Sequence, residues 1–419
     1  MALITEEHSH KYPIMLKIIR SYELNNVGLP ELAIAMLPIM GVYSYGIFHL
    51  YIFLLPIVAV LCSRRKYRMV EFRPLTYIII FYIIHHLALI LLLMLEGGAP
   101  SYLYNSFIGT TIILCSIPFV MNALDFRKLK GALNWVCLFS IGGMIYHFIL
   151  IQSGQIVTPI QLPFLPNPDS TTRIFTEYLR PVSFYTEPAA YCGFIVAPLC
   201  LAICEKKFAY ATLITISMFL STSTTGIAMS IIVWGGTAIF TRTRFIYRVM
   251  YVILGIGLLY YLFNSALFES SVNKLNNTKV EETARLSNGP NVIKSMPLEY
   301  LVIGAPYPNA YDYSRNANVD RSNFIYERDD SSMLFMSTFW NLIFQFGIVG
   351  LILYLNVYFK IYLKDKMLLP YIMVILITMY SDPTLFSSTY AFQLIFMSTF
   401  MKRGQSNKIQ TTNTNMALS

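Results

Sequence analysis

Long apolar runs, separated by polar segments, recur along most of the 419-residue chain. A run of about 18 or more apolar residues is long enough to cross a membrane as a helix. Because backbone groups in lipid must bond within the protein, repeated runs of this length predict a helical bundle rather than a barrel. The predicted fold class is therefore all-α, a polytopic integral membrane bundle of about twelve transmembrane helices.

The apolar pattern gives approximate bounds for each span. The spans are 31–46, 47–63, 75–95, 104–121, 131–151, 188–204, 208–221, 224–240, 246–263, 333–359, 367–381 and 384–401. The first two come from one unbroken apolar stretch, in which Gly41, Tyr43, Ser44 and Gly46 offer a turn. An apolar stretch of that length is too long for one ordinary span.

Two polar segments are much longer than the turns between neighbouring spans. They are 152–187 and 264–332, and both are predicted to lie on the outer side. Residues 1–401 form a single predicted transmembrane domain, and the polar tail 402–419 is predicted to be a disordered cytoplasmic segment. Long loops without a domain signature of their own usually carry function, so any site is expected in these two.

Charge placement gives the orientation. Of the 31 Lys and Arg residues, 22 lie in the segments on one side of the predicted spans, and the other nine lie in the two long loops. Since loops rich in Lys and Arg face the cytoplasm, both termini are predicted to be cytoplasmic. The net charge of +9 is mostly this orientation signal and needs no nucleic-acid partner to explain it.

Composition excludes an ordinary soluble domain. Charged residues make up only 13 % of the chain and hydrophobic residues 56 %, whereas soluble domains carry about 25 % charged residues. The six cysteines lie within or beside apolar spans and form no CxxC pair. No disulfide framework, metal site or cofactor is therefore expected.

The stretch RPVSFYTEPAAYCG, from Arg180 to Gly193, ends the first long loop. Pro188 suits the first turn of a helix, so the following span is predicted to begin there. The free N–H groups at that helix start can bind an anion, and Arg180 can bind a phosphate through two hydrogen bonds. The alternative is structural, with Glu187 as an N-cap carboxylate and Arg180 as an arginine that reaches to the membrane interface.

The second long loop contains KVEETARLSNGP, which predicts a short helix that opens at Glu281, carries Arg285 and ends at Asn288-Gly289-Pro290. Further along, Arg321, Arg328 and Asp329 are predicted to line the rim of the next span. The seven basic residues of this loop can form a field for an anionic lipid head group. The alternative is that this rim is a solvated helix start, since Asp330 and the serines after it are good N-cap residues.

Several other side chains are candidates for the site or for the bundle interior. His85 and His86 are neighbours in mid-span, so they cannot share one helix face, and hydrogen bonding inside the bundle is expected. His49 and His147 lie nearer the outer ends of their spans and can border the site. The run STSTTG is predicted to be the outer turn between two spans or a cavity lining. Tyrosines of the outer loops, Tyr185 among them, can stack on sugar rings.

The passage RPVSFYTEPAAYCGFIVAPL, followed by FLSTSTTGIAMS, a long loop with an arginine, and FGIVGLILY, resembles the Wzy-type polymerases of bacterial O-antigen and capsular polysaccharide. The resemblance covers residues from about 175 to 360, and its motifs are degenerate. It implies a GT-C-like glycosyltransferase of the inner membrane, in which the two long loops are periplasmic.

The resemblance also implies the reaction and the partners. Such enzymes join oligosaccharide repeat units that are carried on undecaprenyl pyrophosphate, which is the leaving group. Arg180 corresponds to the arginine of the first periplasmic loop and Arg285 to that of the second, while Glu187 is the best-placed general base for the acceptor hydroxyl. The substrates are the lipid-linked glycans, membrane lipids surround the chain, and a chain-length regulator protein is the expected partner.

Two departures from the pattern keep alternatives open. Gly193 follows Arg180 after twelve residues, where some members have ten, so Arg173 is the second choice for the loop arginine. The related O-antigen ligases carry a histidine in the second loop, and 264–332 has none, which favours a polymerase. A flippase for lipid-linked oligosaccharides and a structural scaffold are the other candidate functions, but the predicted spans hold few charged residues and show no half-repeat.

Overall fold

The computed structural model describes residues 24, 26–45, 48–63, 73–98, 100–166, 180–240, 257, 260, 284–317 and 334–403. The helices are α1 Leu29–Ala35, α2 Leu37–Met40, α3 Leu50–Ser63, α4 Arg73–Leu95, α5 Ser101–Ala123, α6 Phe126–Gln152, α7 Pro188–Cys204, α8 Phe208–Leu220, α9 Thr224–Phe240, α10 Ala284–Ser295, α11 Leu298–Ile303, α12 Ala310–Asn316, α13 Thr338–Lys364, α14 Leu369–Ser381 and α15 Ser388–Met401. Two-residue strands, β1 Ser44–Tyr45 and β2 Phe48–His49, pair antiparallel with Ser44 opposite His49.

Within the described residues, four helices are long and apolar enough to cross a membrane: α4, α5, α6 and α13. They carry many exposed large apolar side chains, such as Ile84, Leu91 and Ile352. Exposed apolar surface on this scale is typical of helices that face lipid. The architecture is therefore that of a helical membrane protein.

The helices α7 and α15 form the centre of the bundle. Every residue from Ala391 to Phe400 of α15 is buried, and so is every residue from Tyr191 to Ile203 of α7. A helix that is apolar on all sides is stable when other helices surround it. In this bundle α7 packs against α8, α9, α14 and α15.

One end of the bundle, called here the basic end, is held by ion pairs and buried charge. It comprises Asp125–Lys130, Glu205–Lys207, Asp365, Lys402 and Arg403. The Nζ of Lys130 lies 2.7 Å from Oε1 of Glu205, and Nη1 of Arg403 lies 2.7 Å from Oδ2 of Asp365. Burial lowers the pKa of Lys402, whose Nζ donates to the carbonyl of Met121, to about 8.

The opposite end, called the loop end, comprises residues 153–166, 180–187, 221–223, 334–337 and 382–387. Helices α10, α11 and α12 pack on the start of α13 beside it and form a small second core. That core includes Val292, Met296, Tyr313 and Phe344, all buried. Tyr313 stabilises it further by donating its hydroxyl to the carbonyl of Ser295 at 2.8 Å.

The structure agrees with most of the predicted helices but not with the first. The range 31–46 is not one continuous helix: α1 and α2 meet at Met36, and the chain then enters the strand pair. Hydropathy gave no sign of the bend at Met36, because the residues around it are apolar, whereas Gly41 lies in the turn that the sequence predicted. The predicted span 246–263 and the tail beyond residue 403 lie outside the described residues, apart from Gly257 and Tyr260.

The predicted helix break at Asn288-Gly289-Pro290 is wrong, because α10 continues through all three residues to Ser295. Two tertiary contacts hold this part of the helix. The side-chain amide of Asn288 donates to the carbonyl of Phe335 at 3.3 Å, and a Cβ on Gly289 would overlap the ring of Trp340. Packing against α13 therefore outweighs the low helix propensity of Gly and Pro.

Candidate functional site

The segment 180–187 enters the bundle as a non-helical loop, and the five residues from Pro181 to Tyr185 are buried. A non-helical backbone inside a membrane bundle needs protein partners for its polar groups. Helix α6 supplies several of them. Nδ1 of His147 accepts from the backbone N–H of Ser183 at 3.1 Å and of Val182 at 3.4 Å.

The same face of α6 holds the side chains of the loop. Ser183 donates its hydroxyl to the carbonyl of Ser140 at 2.8 Å, and a Cβ on Gly143 would overlap that hydroxyl oxygen. The ring of Phe184 stacks on Phe139 with 4.4 Å between centroids. The loop is therefore docked closely along α6.

Arg180, at the start of this loop, contacts the turn between α8 and α9. Its Nε donates to Oγ1 of Thr222 at 3.0 Å, and one terminal nitrogen donates to the carbonyl oxygen of Thr222. Thr222 has a φ of 53°, a left-handed conformation that is uncommon for a threonine. Thr222 belongs to the run STSTTG, so two stretches singled out from the sequence are in contact.

Buried side chains fix that turn, which covers 221–223, the first half of STSTTG, while the second half begins α9. Ser221 donates its hydroxyl to the carbonyl of Met218 at 2.6 Å and accepts from the N–H of Ser223 at 3.3 Å. Sγ of Cys192 lies 3.3 Å from the same hydroxyl, and a Cβ on Gly226 would overlap that sulfur. The conformation of Thr222 is thus set by α7, α8 and α9 together.

Glu187 is the N-cap residue of α7, and Pro188 occupies the first turn as predicted. The Glu187 side chain makes no capping hydrogen bond, so the alternative of an N-cap carboxylate is not what the structure shows. Its carbonyl accepts from the N–H of Tyr191 at 3.2 Å. Glu187 is half-buried at the helix start, a place where the helix dipole favours negative charge.

Tyr185, predicted to bind substrate, lies in the core with only 1 % of its surface exposed. Its ring packs against Tyr191 and Phe194, with centroids 5.7 Å and 6.0 Å away. A ring enclosed in this way contributes packing and offers no open face to a sugar, which corrects the expectation.

The second predicted arginine, Arg285, lies in the first turn of α10. The contacts of Asn288 and Gly289 set that helix on the first residues of α13. The backbone of Thr338 in α13 donates to the carbonyl of Asp382 at 3.0 Å, so this region adjoins the loop between α14 and α15. The remaining predicted site residues, Arg173, Arg321, Arg328 and Asp329, lie outside the described residues.

A series of contacts puts α10 and Arg180 at the same end of the bundle. Helix α9 follows directly after Thr222 and packs along α14, with Gly236 of α9 against Pro370 at the far end of α14. Since the two helices run antiparallel, the start of α9 lies toward Asp382. The helix that carries Arg285 therefore lies beside the loop end, to which the loop that carries Arg180 belongs.

Two features of the structure were missed by sequence reasoning. Gly347, with φ 64° and ψ −171°, divides α13 into two helical segments, and the paired acceptor role of His147 was not anticipated. His85 is half-buried, and its Nε2 donates to the carbonyl of the exposed Ile303 in α11 at 3.0 Å, so this hydrogen bond does not lie in the bundle interior. Among the described residues, no group of three His, Cys, Asp or Glu side chains is arranged to hold a metal ion.

Comparison of the sequence with known protein families and with curated proteins gives no match.

Proposed function

We propose that the chain is a polysaccharide polymerase of the bacterial inner membrane. It joins oligosaccharide repeat units carried on undecaprenyl pyrophosphate, for O-antigen or capsule, and releases undecaprenyl pyrophosphate. In this proposal the bundle is a GT-C-like fold of about twelve spans, with both termini in the cytoplasm and the loop end facing the periplasm.

The observation that supports the proposal is the contact between Arg180 and Thr222. The resemblance to Wzy-type polymerases depends on the RPVSFYTEP and STSTTG stretches, and this contact joins them at the N-terminal side of α7. A planar cation beside a helix start is suited to a diphosphate, because a guanidinium and free backbone N–H groups both bind oxyanions. Such groups stabilise the charge that develops on a pyrophosphate leaving group.

The other predicted residues take roles that follow from their chemistry. Arg285 supplies a second positive charge to the diphosphate, and Glu187 accepts the proton of the attacking sugar hydroxyl. Arg173, Arg321, Arg328 and Asp329 bind the glycan and its carrier. A chain-length regulator acts as the protein partner, and no metal or cofactor takes part.

A flippase for the same lipid-linked glycans is the second candidate, and the break in α13 is the observation that bears on it. Discontinuous helices near the middle of a bundle are common at the binding sites of transporters. Here the break at Gly347 is filled by packed backbone from the segment Val302–Gly304. A break closed by protein in this way gives less support to transport than an open one would. An O-antigen ligase is the third candidate, and no observation at the loop end favours it.

The test is the length distribution of surface glycan in cells whose own copy of the gene is deleted and replaced by variants. Arg180→Lys keeps the positive charge but loses the planar fork, and Arg180→Ala loses both. We expect elongation to fall by about 100-fold or more, with single capped units still at the surface. Lys128→Ala, which removes an exposed positive charge at the basic end, is the control and should give normal chains.

The outcome separates the candidates. Loss of all surface units in the deletion strain would indicate a flippase, whereas normal long chains from Arg180→Ala would remove Arg180 from the mechanism. Loss of ligation to the lipid anchor, with long chains kept on the carrier, would indicate a ligase.

A further inference from the structure

One face of α6 forms a docking groove for the buried loop. Ser140, Gly143 and His147 recur three and four residues apart, so they lie on the same side of the helix. Each contacts the loop at Val182 or Ser183: Ser140 through its carbonyl, Gly143 through close approach, and His147 through its ring. The N–H of Ile160 adds a hydrogen bond to the carbonyl of Ser183 at 2.9 Å.

The ring of His147 has a defined chemical state in this arrangement. Because Nδ1 accepts from two backbone N–H groups, it carries no proton, and the neutral ring holds its proton on Nε2. His147 is 2 % exposed, so water cannot readily take the place of its ring as the acceptor for these two N–H groups. Without His147, two buried backbone donors would lose their acceptor, which strongly disfavours the docked loop.

Docking at Val182 also determines where Arg180 can lie. Only Pro181 separates the two residues, and proline fixes its own φ and restricts the residue before it. The position of Arg180 relative to Thr222 is therefore coupled to the contact of Val182 with α6.

We propose that His147 is a positioning residue: its Nδ1 anchors the loop at Val182 and Ser183, and this anchoring sets the guanidinium of Arg180 against Thr222. The effect of His147 on glycan elongation rests on the proposed function, whereas the docking of the loop can be measured without it. The anchoring role predicts that only a side chain with an acceptor at the Nδ1 position replaces His147. Asparagine places its Oδ1 close to the position of the histidine Nδ1. Glutamine instead places its Oε1 near the position of the histidine Nε2.

The first measurement is independent of activity. Val182 is fully buried, so a cysteine at this position in the full-length protein should react slowly with maleimide in opened membrane vesicles. We expect Val182→Cys to be labelled on the order of tenfold faster when combined with His147→Ala or His147→Gln, because local opening exposes it. The combination with His147→Asn should stay slow. The chain without Val182→Cys gives the background of the six native cysteines.

The second measurement is elongation of the glycan in cells. Long chains should be lost in His147→Ala and His147→Gln and restored in His147→Asn, with folded protein checked by size-exclusion chromatography. If His147→Ala fails to fold, the comparison of His147→Asn with His147→Gln carries the test. Equal labelling of Val182→Cys in the asparagine and glutamine variants would overturn the proposal. If instead labelling follows expectation while the deletion strain still makes normal long chains, the docking role stands and the polymerase function fails.

Discussion

Gly304 and Gly347 lie in one backbone-to-backbone contact, where the end of α11 crosses the break in α13. A Cβ on Gly304 would overlap the carbonyl of Gln345, and one on Gly347 would overlap the carbonyl of Val302. Both glycines have positive φ, 100° and 64°. The N–H of Ala305 donates to the carbonyl of Phe344 at 2.8 Å, so the crossing segment supplies a donor to α13 beside its break.

Gly347→Ala should therefore destabilise the protein. The φ and ψ of Gly347 fall in a region that is essentially open only to glycine, and forcing another residue into it costs about 1–3 kcal/mol. The overlap with Val302 adds to this cost. Thermal unfolding of the purified protein in detergent measures the loss.

Gly142→Ala is the matched control, since Gly142 lies in α6, is exposed and has open space at its Cβ position. Alanine there should leave stability unchanged or raise it by up to about 1 kcal/mol. If the two variants unfold at the same temperature, the break in α13 does not need glycine.

Local signals explain why some elements could be predicted from the sequence. The predicted spans 188–204 and 224–240 match α7 and α9 at both ends. Pro188 marks the first of these starts by a rule that acts within one turn of helix, and the polar run before Thr224 marks the second.

The rest depends on contacts between segments far apart in sequence. The letters FGIVG carry no sign that α13 breaks at Gly347, because the break exists only where Val302 lies against it. Arg180 and the STSTTG run were both singled out, yet nothing in either stretch indicates that one binds the other. His147 was noticed as a histidine near the outer end of its span, but its acceptor role depends on the loop that docks there.

A second prediction concerns the junction of α13 with the loop before α15. Thr338 is fully buried, and its hydroxyl donates to the carbonyl of Asp382 and accepts from the N–H of Thr384, both at 2.6 Å. Thr338→Val keeps the shape but leaves the N–H of Thr384 without this acceptor. We expect a loss of about 1–3 kcal/mol in the free energy of unfolding.

The comparison is Thr212→Val, at an exposed threonine whose hydroxyl bonds back to Phe208 within α8. That change should stay within about 0.5 kcal/mol of the parent. A Thr338→Val protein as stable as Thr212→Val would mean that the junction does not depend on the hydroxyl.

The last prediction concerns the ion pairs of Glu205 at the basic end. Its Oε1 lies 2.7 Å from Nζ of Lys130, and its Oε2 lies 3.1 Å from Nζ of Lys207. Lys130 has 8 % of its side chain exposed and Lys207 has 26 %, so the first pair is less screened by solvent. Lys130→Met should therefore cost about 1–3 kcal/mol and Lys207→Met about 0–1 kcal/mol.

A double-mutant cycle with Glu205→Gln separates the pair from other effects of the substitutions. The coupling energy between Lys130 and Glu205 should be about 0.5–3 kcal/mol, and that between Lys207 and Glu205 should be smaller and should weaken more with added salt. Denaturant unfolding in detergent at two salt concentrations gives both values. Equal coupling for the two lysines would show that burial of Lys130 adds nothing, because in that case solvent would screen both pairs alike.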